Sequence, residues 1–350
     1  CSLTEVKVLK NTKALTGAHF KTILAPMSLT SRSVAIIGAG GVVGRALVRR
    51  LVENPSVDTV LALDTRKPTG LPRSVKCYAL DVLGDDFVDR LATMIDDADV
   101  GTLIHMGYLS DQADRQERQT EETKQIIELL TRRPVSKTIF AGTTLVYGAL
   151  PGDPSHLYET TPIHEEHESQ WVRDKVSAEK LIQDFILETD ETMTVLRFAP
   201  VLGPNMRTFL SEYLYRTAVP TVKGVDPQVQ VVHESDSAAA FELAVEGDYD
   251  GIFNIVAHGA LPLSVALRVG RRRSTPVNTL SAYPLTQLLW DNEIVETPDV
   301  LLDLFKYLWV ADGRKATEQM GFQPDRSTRE TLEDFYRTRA AEEAAAAAAG

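Results

Sequence analysis

Residues suited to holding a phosphate stand in the run Gly38-Ala-Gly40-Gly41-Val-Val-Gly44. A β-branched segment precedes this run and a helical segment follows it, so the pattern predicts a turn between a strand and a helix. Glycine removes the Cβ that would keep a pyrophosphate away, and the N-terminus of the next helix offers N–H groups and a positive dipole end. The spacing of Gly38, Gly41 and Gly44 therefore predicts a dinucleotide-binding loop.

An acidic residue follows this loop at the place where a ribose would be recognised. Asp64 ends the next predicted strand, twenty residues after Gly44. A carboxylate there accepts hydrogen bonds from both hydroxyls of an adenosine ribose and repels a 2′-phosphate. The sequence therefore predicts NAD, with NADP less favoured but kept open by the neighbouring Arg66 and Lys67. Asp81 and Val82, after the third predicted strand, are expected at the adenine edge.

The rest of the chain must form the scaffold that positions these residues. Short β-branched runs alternate with helical segments from Ser33 onward, which predicts βαβ units and a parallel sheet. We expect an α/β fold: a Rossmann-type doubly wound parallel sheet with a smaller C-terminal substrate lobe over its carboxyl edge. Further helical patterns in that lobe include 284–290 and 302–308.

The expected divisions of the chain follow from these patterns. They are an N-terminal extension over 1–32, a dinucleotide-binding domain over 33–198, a substrate lobe over most of 199–339 with 227–256 returning to the core, and an Ala-rich tail over 340–350. The first of these segments lacks the apolar core of a secretory signal.

The overall composition excludes several classes of protein. The 350 residues carry a formal net charge of −12, so attraction to a nucleic-acid backbone is not expected. No uncharged run approaches the roughly 18 apolar residues of a membrane span. Two cysteines cannot form a disulfide framework, and His164 and His167 lack a convincing third metal ligand. We expect a cytoplasmic protein that binds a small-molecule substrate and no nucleic acid, membrane or metal.

Several segments, in order, resemble the NAD-dependent epimerase/dehydratase branch of the extended short-chain dehydrogenase/reductase superfamily, from Ser33 to about Arg339. Besides the glycine loop they are Leu103–Gly107, Thr143–Gly148, Lys175–Glu179, Leu196–Pro204, Val232–Asp236 and Gly251–Ile255. The resemblance implies an NAD cofactor and a substrate with a hydroxyl or keto group. The residues then expected to contact the cofactor are Gly38, Gly41, Val42, Val43, Gly44, Asp64, Asp81, Val82, Met106, Gly107, Lys175 and Pro200.

The resemblance also implies the catalytic positions, and one of them departs from the pattern. Thr143 is expected to hydrogen-bond the substrate oxygen, and Lys175 to anchor the nicotinamide ribose and lower the pKa of a Tyr four residues before it. Trp171 stands at that position. An indole N–H only donates a hydrogen bond, so Trp171 cannot shuttle the proton. Two interpretations stay open: an oxidoreductase with another proton relay, or a catalytically silent dinucleotide-binding sensor or complex subunit.

Other ionisable residues near these positions in the sequence are candidates for such a relay. They are His105, Tyr147, Tyr158, His164 and His167, of which Tyr147 is expected to be structural.

The segments expected to hold the substrate lack two features of family members that bind nucleotide sugars. Pro200 stands where an Asn is common, and Val229 where an Arg would hold the diphosphate. A substrate less charged than a sugar nucleotide, such as a ketone or a hydroxylated lipid, is therefore among the expectations. A homodimer through the helices expected at 114–131 and 169–188 is a further one.

Overall fold

The computed structural model describes residues 32–107, 118–148, 154–165, 167, 169–278 and 310–349. Its strands are β1 Ser33–Ile37, β2 Thr59–Asp64, β3 Lys76–Ala79, β4 Val100–His105, β5 Lys137–Thr143, β6 Thr192–Phe198, β7 Val201–Leu202, β8 Ala218–Val222, β9 Gln228–Val229, β10 Val232–His233, β11 Gly251–Ile255, β12 Leu261–Pro262 and β13 Arg273–Val277. Its α-helices are α1 Val42–Glu53, α2 Phe87–Ala98, α3 Arg118–Arg132, α4 Gln170–Ile186, α5 Phe209–Tyr215, α6 Glu234–Glu246, α7 Leu263–Val269 and α8 Thr328–Ala349.

A seven-stranded parallel sheet forms the centre of the protein, with the strand order β11-β6-β5-β4-β1-β2-β3. Its central strands are buried along nearly their whole length and are mostly apolar, because helices cover both faces. The strand order reverses direction between β1 and β4, and in such sheets the crevice at the carboxyl ends of these two strands is the usual ligand site. The doubly wound parallel sheet predicted from the sequence is confirmed.

A smaller lobe follows β6 and has its own apolar core. This second cluster draws on α5, α7 and α8 and includes Leu202, Leu214, Val231, Leu267 and Phe335. Three two-stranded sheets pair β7 with β10, β9 with β12, and β8 with β13. Within the span 227–256, α6 packs on α1 and β11 joins the central sheet.

The C-terminal helix crosses the boundary at residue 339 that the sequence suggests between the substrate lobe and the Ala-rich tail. Helix α8 runs from Thr328 to Ala349 and so includes most of the Ala-rich segment. The helical patterns at 284–290 and 302–308, and nearly all of the N-terminal extension, lie outside the described residues. No helix in the described ranges is both long and apolar enough to cross a membrane.

Candidate active site

The turn between β1 and α1 is tightly closed, and its glycines serve different purposes. A Cβ on Gly44 would collide with the Gly38 carbonyl oxygen and lie 2.8 Å from the Ala39 Cα. Gly38 has a φ of +89°, and a Cβ there would lie 3.1 Å from that of Met106. A Cβ on Gly41 would meet only the Gly38 oxygen, at an ordinary 3.5 Å. Packing therefore demands glycine at 38 and 44, whereas Gly41 keeps open the space in front of the loop.

The start of α1 leaves its backbone donors available to a ligand. Gly41 is the N-cap residue and has no side chain with which to cap the helix. The first N–H groups of a helix have no partners within it, and they favour an anion together with the helix dipole. The amides of Val42, Val43 and Gly44 therefore suit a diphosphate, and the cradle fits the group that the sequence implies.

A groove of about 1110 Å³ runs from this loop across the carboxyl ends of the strands. Ten of the twelve predicted cofactor contacts line it: Gly38, Gly41, Val42, Val43, Gly44, Asp64, Asp81, Val82, Met106 and Gly107. The other two, Lys175 and Pro200, line a smaller chamber instead. The small lobe contributes Asn205, Met206, Arg207 and Thr208 to the wall of the groove.

Asp64 has the geometry expected of a ribose-binding carboxylate. It ends β2, and its Oδ2 accepts a hydrogen bond from the Gly40 N–H at 2.9 Å. Arg45 donates from Nε to the Gly40 carbonyl at 2.7 Å, which fixes the loop from its other side. Arg66 and Lys67 also line this end of the groove. The Asp64 carboxylate and the cationic Arg66 and Lys67 therefore line the same end of the groove, as their neighbouring positions in the sequence predict.

The catalytic positions come together in the smaller chamber. Thr143, at the end of β5, accepts a hydrogen bond at its Oγ1 from the Leu145 N–H at 3.2 Å. The Lys175 ammonium lies 4.8 Å from the centre of the Trp171 ring. Trp171 is 6% exposed and packs edge-on against Phe209 at 5.5 Å. Among the described residues, its Nε1–H finds no hydrogen-bond partner.

Two residues that the sequence analysis missed hold Lys175 in place. Gln119 accepts a hydrogen bond from the Lys175 Nζ at 3.2 Å. Asp174 in turn accepts from the backbone N–H groups of Gln119 at 3.0 Å and of Thr120 at 2.9 Å. Helix α3 is thereby tied to α4 beside the lysine. No motif signals this contact; an acidic residue directly before the lysine is the one sequence hint.

Four of the five candidate proton relays line neither the chamber nor the groove. Tyr147 is buried and donates its phenol at 2.8 Å to a buried asparagine, and burial raises its pKa. His167 accepts at Nδ1 from the backbone N–H of Ser169, the residue before α4. The His164 ring packs against Gly148. Tyr158 is exposed at the surface. None of them lines the chamber in the described structure.

His105 lines the groove as part of a row of charged and titratable groups. Its Nε2 lies 3.7 Å from the Glu122 carboxylate, and Arg118 donates to that carboxylate at 2.7 Å. Arg118 also approaches Asp81 at 3.8 Å. Burial opposes ionisation of Glu122, but His105 and Arg118 together hold the pKa of its carboxyl below the ordinary value. The carboxylate of Glu122 is therefore stabilised as an anion in the groove wall.

A buried ion pair supports the chamber from behind. Arg197 on β6 donates from Nε to Glu179 on α4 at 2.9 Å, and both side chains are almost fully buried. Gly142, which lines the chamber, packs on both residues, because a Cβ there would lie within 3.4 Å of each. Arg197 also donates to Tyr147 at 2.7 Å, which makes this tyrosine structural as expected.

The fold and the groove together define the class: a doubly wound α/β protein with a dinucleotide-type phosphate loop. The NAD dependent epimerase/dehydratase family matches residues 34–255, and the chain belongs to this family.

Solved structures agree on the fold. The dTDP-glucose 4,6-dehydratase DesIV of Streptomyces venezuelae, with NAD and TYD bound, superposes with a TM-score of 0.69 at 17% identity, over 89% of this chain and 98% of that one. The UDP-glucose 4-epimerase of Thermotoga maritima with UDP-glucose gives 0.67 at 21% identity, over 89% and 99%. An uncharacterized protein of Mycobacterium tuberculosis is 29% identical over 314 residues, which cover 87% of this chain and 84% of that protein.

Proposed function

We propose that the chain binds NAD(H) in the groove and that its chamber does not carry out proton-coupled hydride transfer. It would act as a dinucleotide-binding protein, a sensor or a subunit of a complex, built on an oxidoreductase scaffold. Support for the first half comes from the family, from the NAD in solved relatives of the same fold, and from the ten predicted contacts that line one groove.

Each part of the groove suits one part of the dinucleotide. The amides at the start of α1 would hold the diphosphate, and Asp64 the adenosine ribose. Asp81 and Val82 would meet the adenine, and the Lys175 ammonium, which lines the adjoining chamber, would meet the nicotinamide ribose. When bound, NAD(H) supplies the means to accept or release a hydride. The uncharged ribose and charged diphosphate are thus both matched by groups of this chain.

Trp171 is the observation that carries the second half of the proposal. Hydride transfer to a carbonyl needs a proton on the oxygen, and an indole N–H does not ionise in the useful pH range. Lys175 is held by Gln119 and by the Trp171 ring. The relay candidates outside the groove make hydrogen bonds or packing contacts elsewhere, or lie at the surface. His105 is in the groove, where it faces Glu122, and it does not line the chamber.

The experiment compares cofactor binding with turnover. Titration calorimetry of the purified chain with NAD, NADH, NADP and NADPH should show heat for the first two. Turnover of ketones and alcohols is then followed by the absorbance of reduced nicotinamide, and turnover of nucleotide sugars, whose epimerisation or dehydration leaves the cofactor unchanged overall, by chromatography of the products. We expect none from the parent, and turnover from Trp171→Tyr, with Trp171→Phe as the matched silent control. Turnover by the parent, or failure of NAD and NADH to bind, would overturn the proposal.

A further inference from the structure

Four exposed arginines lie together on the small lobe. Arg216 follows α5, Arg268 lies in the last turn of α7, Arg271 comes shortly after that helix, and Arg273 begins β13. The Arg273 N–H donates at 3.1 Å to the carbonyl of Thr217, the residue after Arg216, and the Arg271 N–H donates to the Arg268 carbonyl at 3.0 Å. These backbone contacts bring the four residues into one arginine patch.

The arginine patch has no acidic partner among the residues that the structure describes. Glu212, one turn before Arg216 on α5, pairs with Arg339 at 3.0 Å instead. Arg329 and Arg337, on α8 of the same lobe, each pair with a carboxylate. In a chain with a formal net charge of −12, the patch is therefore a local surplus of positive charge.

Packing fixes the backbone of the patch. The Arg272 guanidinium lies 4.1 Å from the centre of the Tyr215 ring and 5.7 Å from that of Tyr336. A Cβ on Gly270 would overlap the Tyr336 ring, so the turn after α7 packs closely on this side chain. Arg271 has a φ of +54°, a conformation that residues with a Cβ rarely adopt. A backbone held in this way lowers the entropic cost of binding a partner.

A short acidic segment fits the patch better than an extended polyanion does. Guanidinium groups form paired hydrogen bonds with carboxylates, and arginine is enriched in protein interfaces. Charges more than about 8 Å apart are largely screened at physiological ionic strength, so a short acidic segment responds mainly to the patch itself. A nucleic acid or an anionic membrane extends beyond the patch and meets the surface of a chain with a formal net charge of −12.

We infer that the arginine patch docks an acidic peptide segment of a partner protein. The carboxylates of the segment accept hydrogen bonds from the guanidinium groups, which stay charged throughout the working pH range. The inference goes beyond the proposed function, because the patch lines neither the groove nor the chamber. A dinucleotide in the groove should therefore leave the docking unchanged.

The probe is a fluorescein-labelled peptide of alternating glutamate and glycine, and its counterpart has glutamine in place of glutamate. Fluorescence anisotropy measures the affinity of the full chain for each peptide. We expect the acidic peptide to bind at least about tenfold more tightly, which is about 1.4 kcal/mol. Added salt should remove most of this difference. Equal affinities would overturn the inference, and so would tighter binding of a single-stranded DNA oligomer or of phosphatidylserine vesicles.

Charge-matched double variants locate the docking surface. Arg271→Gln together with Arg273→Gln should weaken binding of the acidic peptide about tenfold or more. Arg329→Gln together with Arg337→Gln removes the same charge from paired arginines on α8, and the affinity should stay within about twofold, because these side chains already have carboxylate partners. Equal losses in the two double variants would show that the peptide responds only to net charge, and would refute the assignment.

A second double variant keeps the test independent of the turn after α7. Arg216→Gln together with Arg268→Gln should weaken binding of the acidic peptide as well, because these residues belong to the same patch. Urea unfolding checks that all of the variants keep the stability of the parent, as expected for exposed side chains. Unchanged affinity in both patch variants would refute the assignment.

Discussion

Two glycines of the phosphate loop should respond very differently to the same added methyl group. In Gly44→Ala, the new Cβ meets backbone atoms of Gly38 and Ala39. These atoms cannot rotate away, so α1 must shift relative to β1. Overpacking of this kind costs about 1–3 kcal/mol, and we expect the free energy of unfolding to fall by about 2 kcal/mol.

The matched variant Gly41→Ala has ordinary contacts, with its nearest neighbour 3.5 Å away. Loss of glycine at an N-cap costs about 1 kcal/mol or less, so the fold should survive. The methyl nevertheless enters the groove where a diphosphate must approach the amides, and NADH affinity should fall about tenfold or more, about 1.4 kcal/mol.

Urea unfolding measures the stability of both variants, and nicotinamide fluorescence measures their affinity for NADH. If Gly41→Ala binds NADH as tightly as the parent, the diphosphate does not lie against this loop. If the two variants lose the same stability, the reasoning from close contacts is wrong.

Three other changes test the site and its support. Glu179→Gln leaves its arginine partner buried without a counter-charge and should cost about 3–5 kcal/mol in urea unfolding, whereas Glu165→Gln, in an exposed pair with Lys180, should be nearly silent. Asp64→Asn should narrow the preference for NADH over NADPH by about tenfold or more in calorimetric titrations, because like charges placed together cost several kcal/mol. Ionised Glu122, whose folded pKa is lowered, stabilises the fold above its unfolded pKa and loses this effect as the pH falls through the folded value. The stability advantage of the parent over Glu122→Gln should therefore be largest near neutral pH and vanish in acid, and an advantage that grows in acid would contradict this sign.

The sequence predicted those parts of the site that depend on local pattern. The glycine loop, Asp64 at the end of a strand and Asp81 after the next strand follow from β-strand and helix periodicity, Met106 follows from the family resemblance, and the structure brings them to one groove. Their placement needs only the rule that parallel strands share a carboxyl edge.

The position of Tyr158, in the loop before α4, depends on contacts with residues far away in the sequence. Tyr158 precedes α4 in the sequence, which makes it a candidate proton relay. In the structure, the Leu157 N–H donates to the Val310 carbonyl, and Arg314 lies over the Tyr158 ring. A contact between segments about 150 residues apart leaves no local signal. The same holds for Gln119, which reaches Lys175 from another helix.

The surroundings of Lys175 show how the fold accommodates a buried lysine beside Trp171. A buried ammonium is costly unless its hydrogens and charge are met. Gln119 meets one hydrogen, and the Trp171 ring offers a cation–π contact of about 0.5–2 kcal/mol. A tyrosine at position 171 would also offer a phenol, whose pKa the Lys175 charge could lower. A tryptophan has no such group, so its ring stabilises the Lys175 charge without a neighbouring pKa to lower. An ammonium group donates hydrogen bonds and has no acceptor atom, so Lys175 suits neutral oxygen acceptors, the ribose hydroxyls of a dinucleotide among them. This arrangement of Lys175 agrees with the proposed function, in which the lysine serves binding.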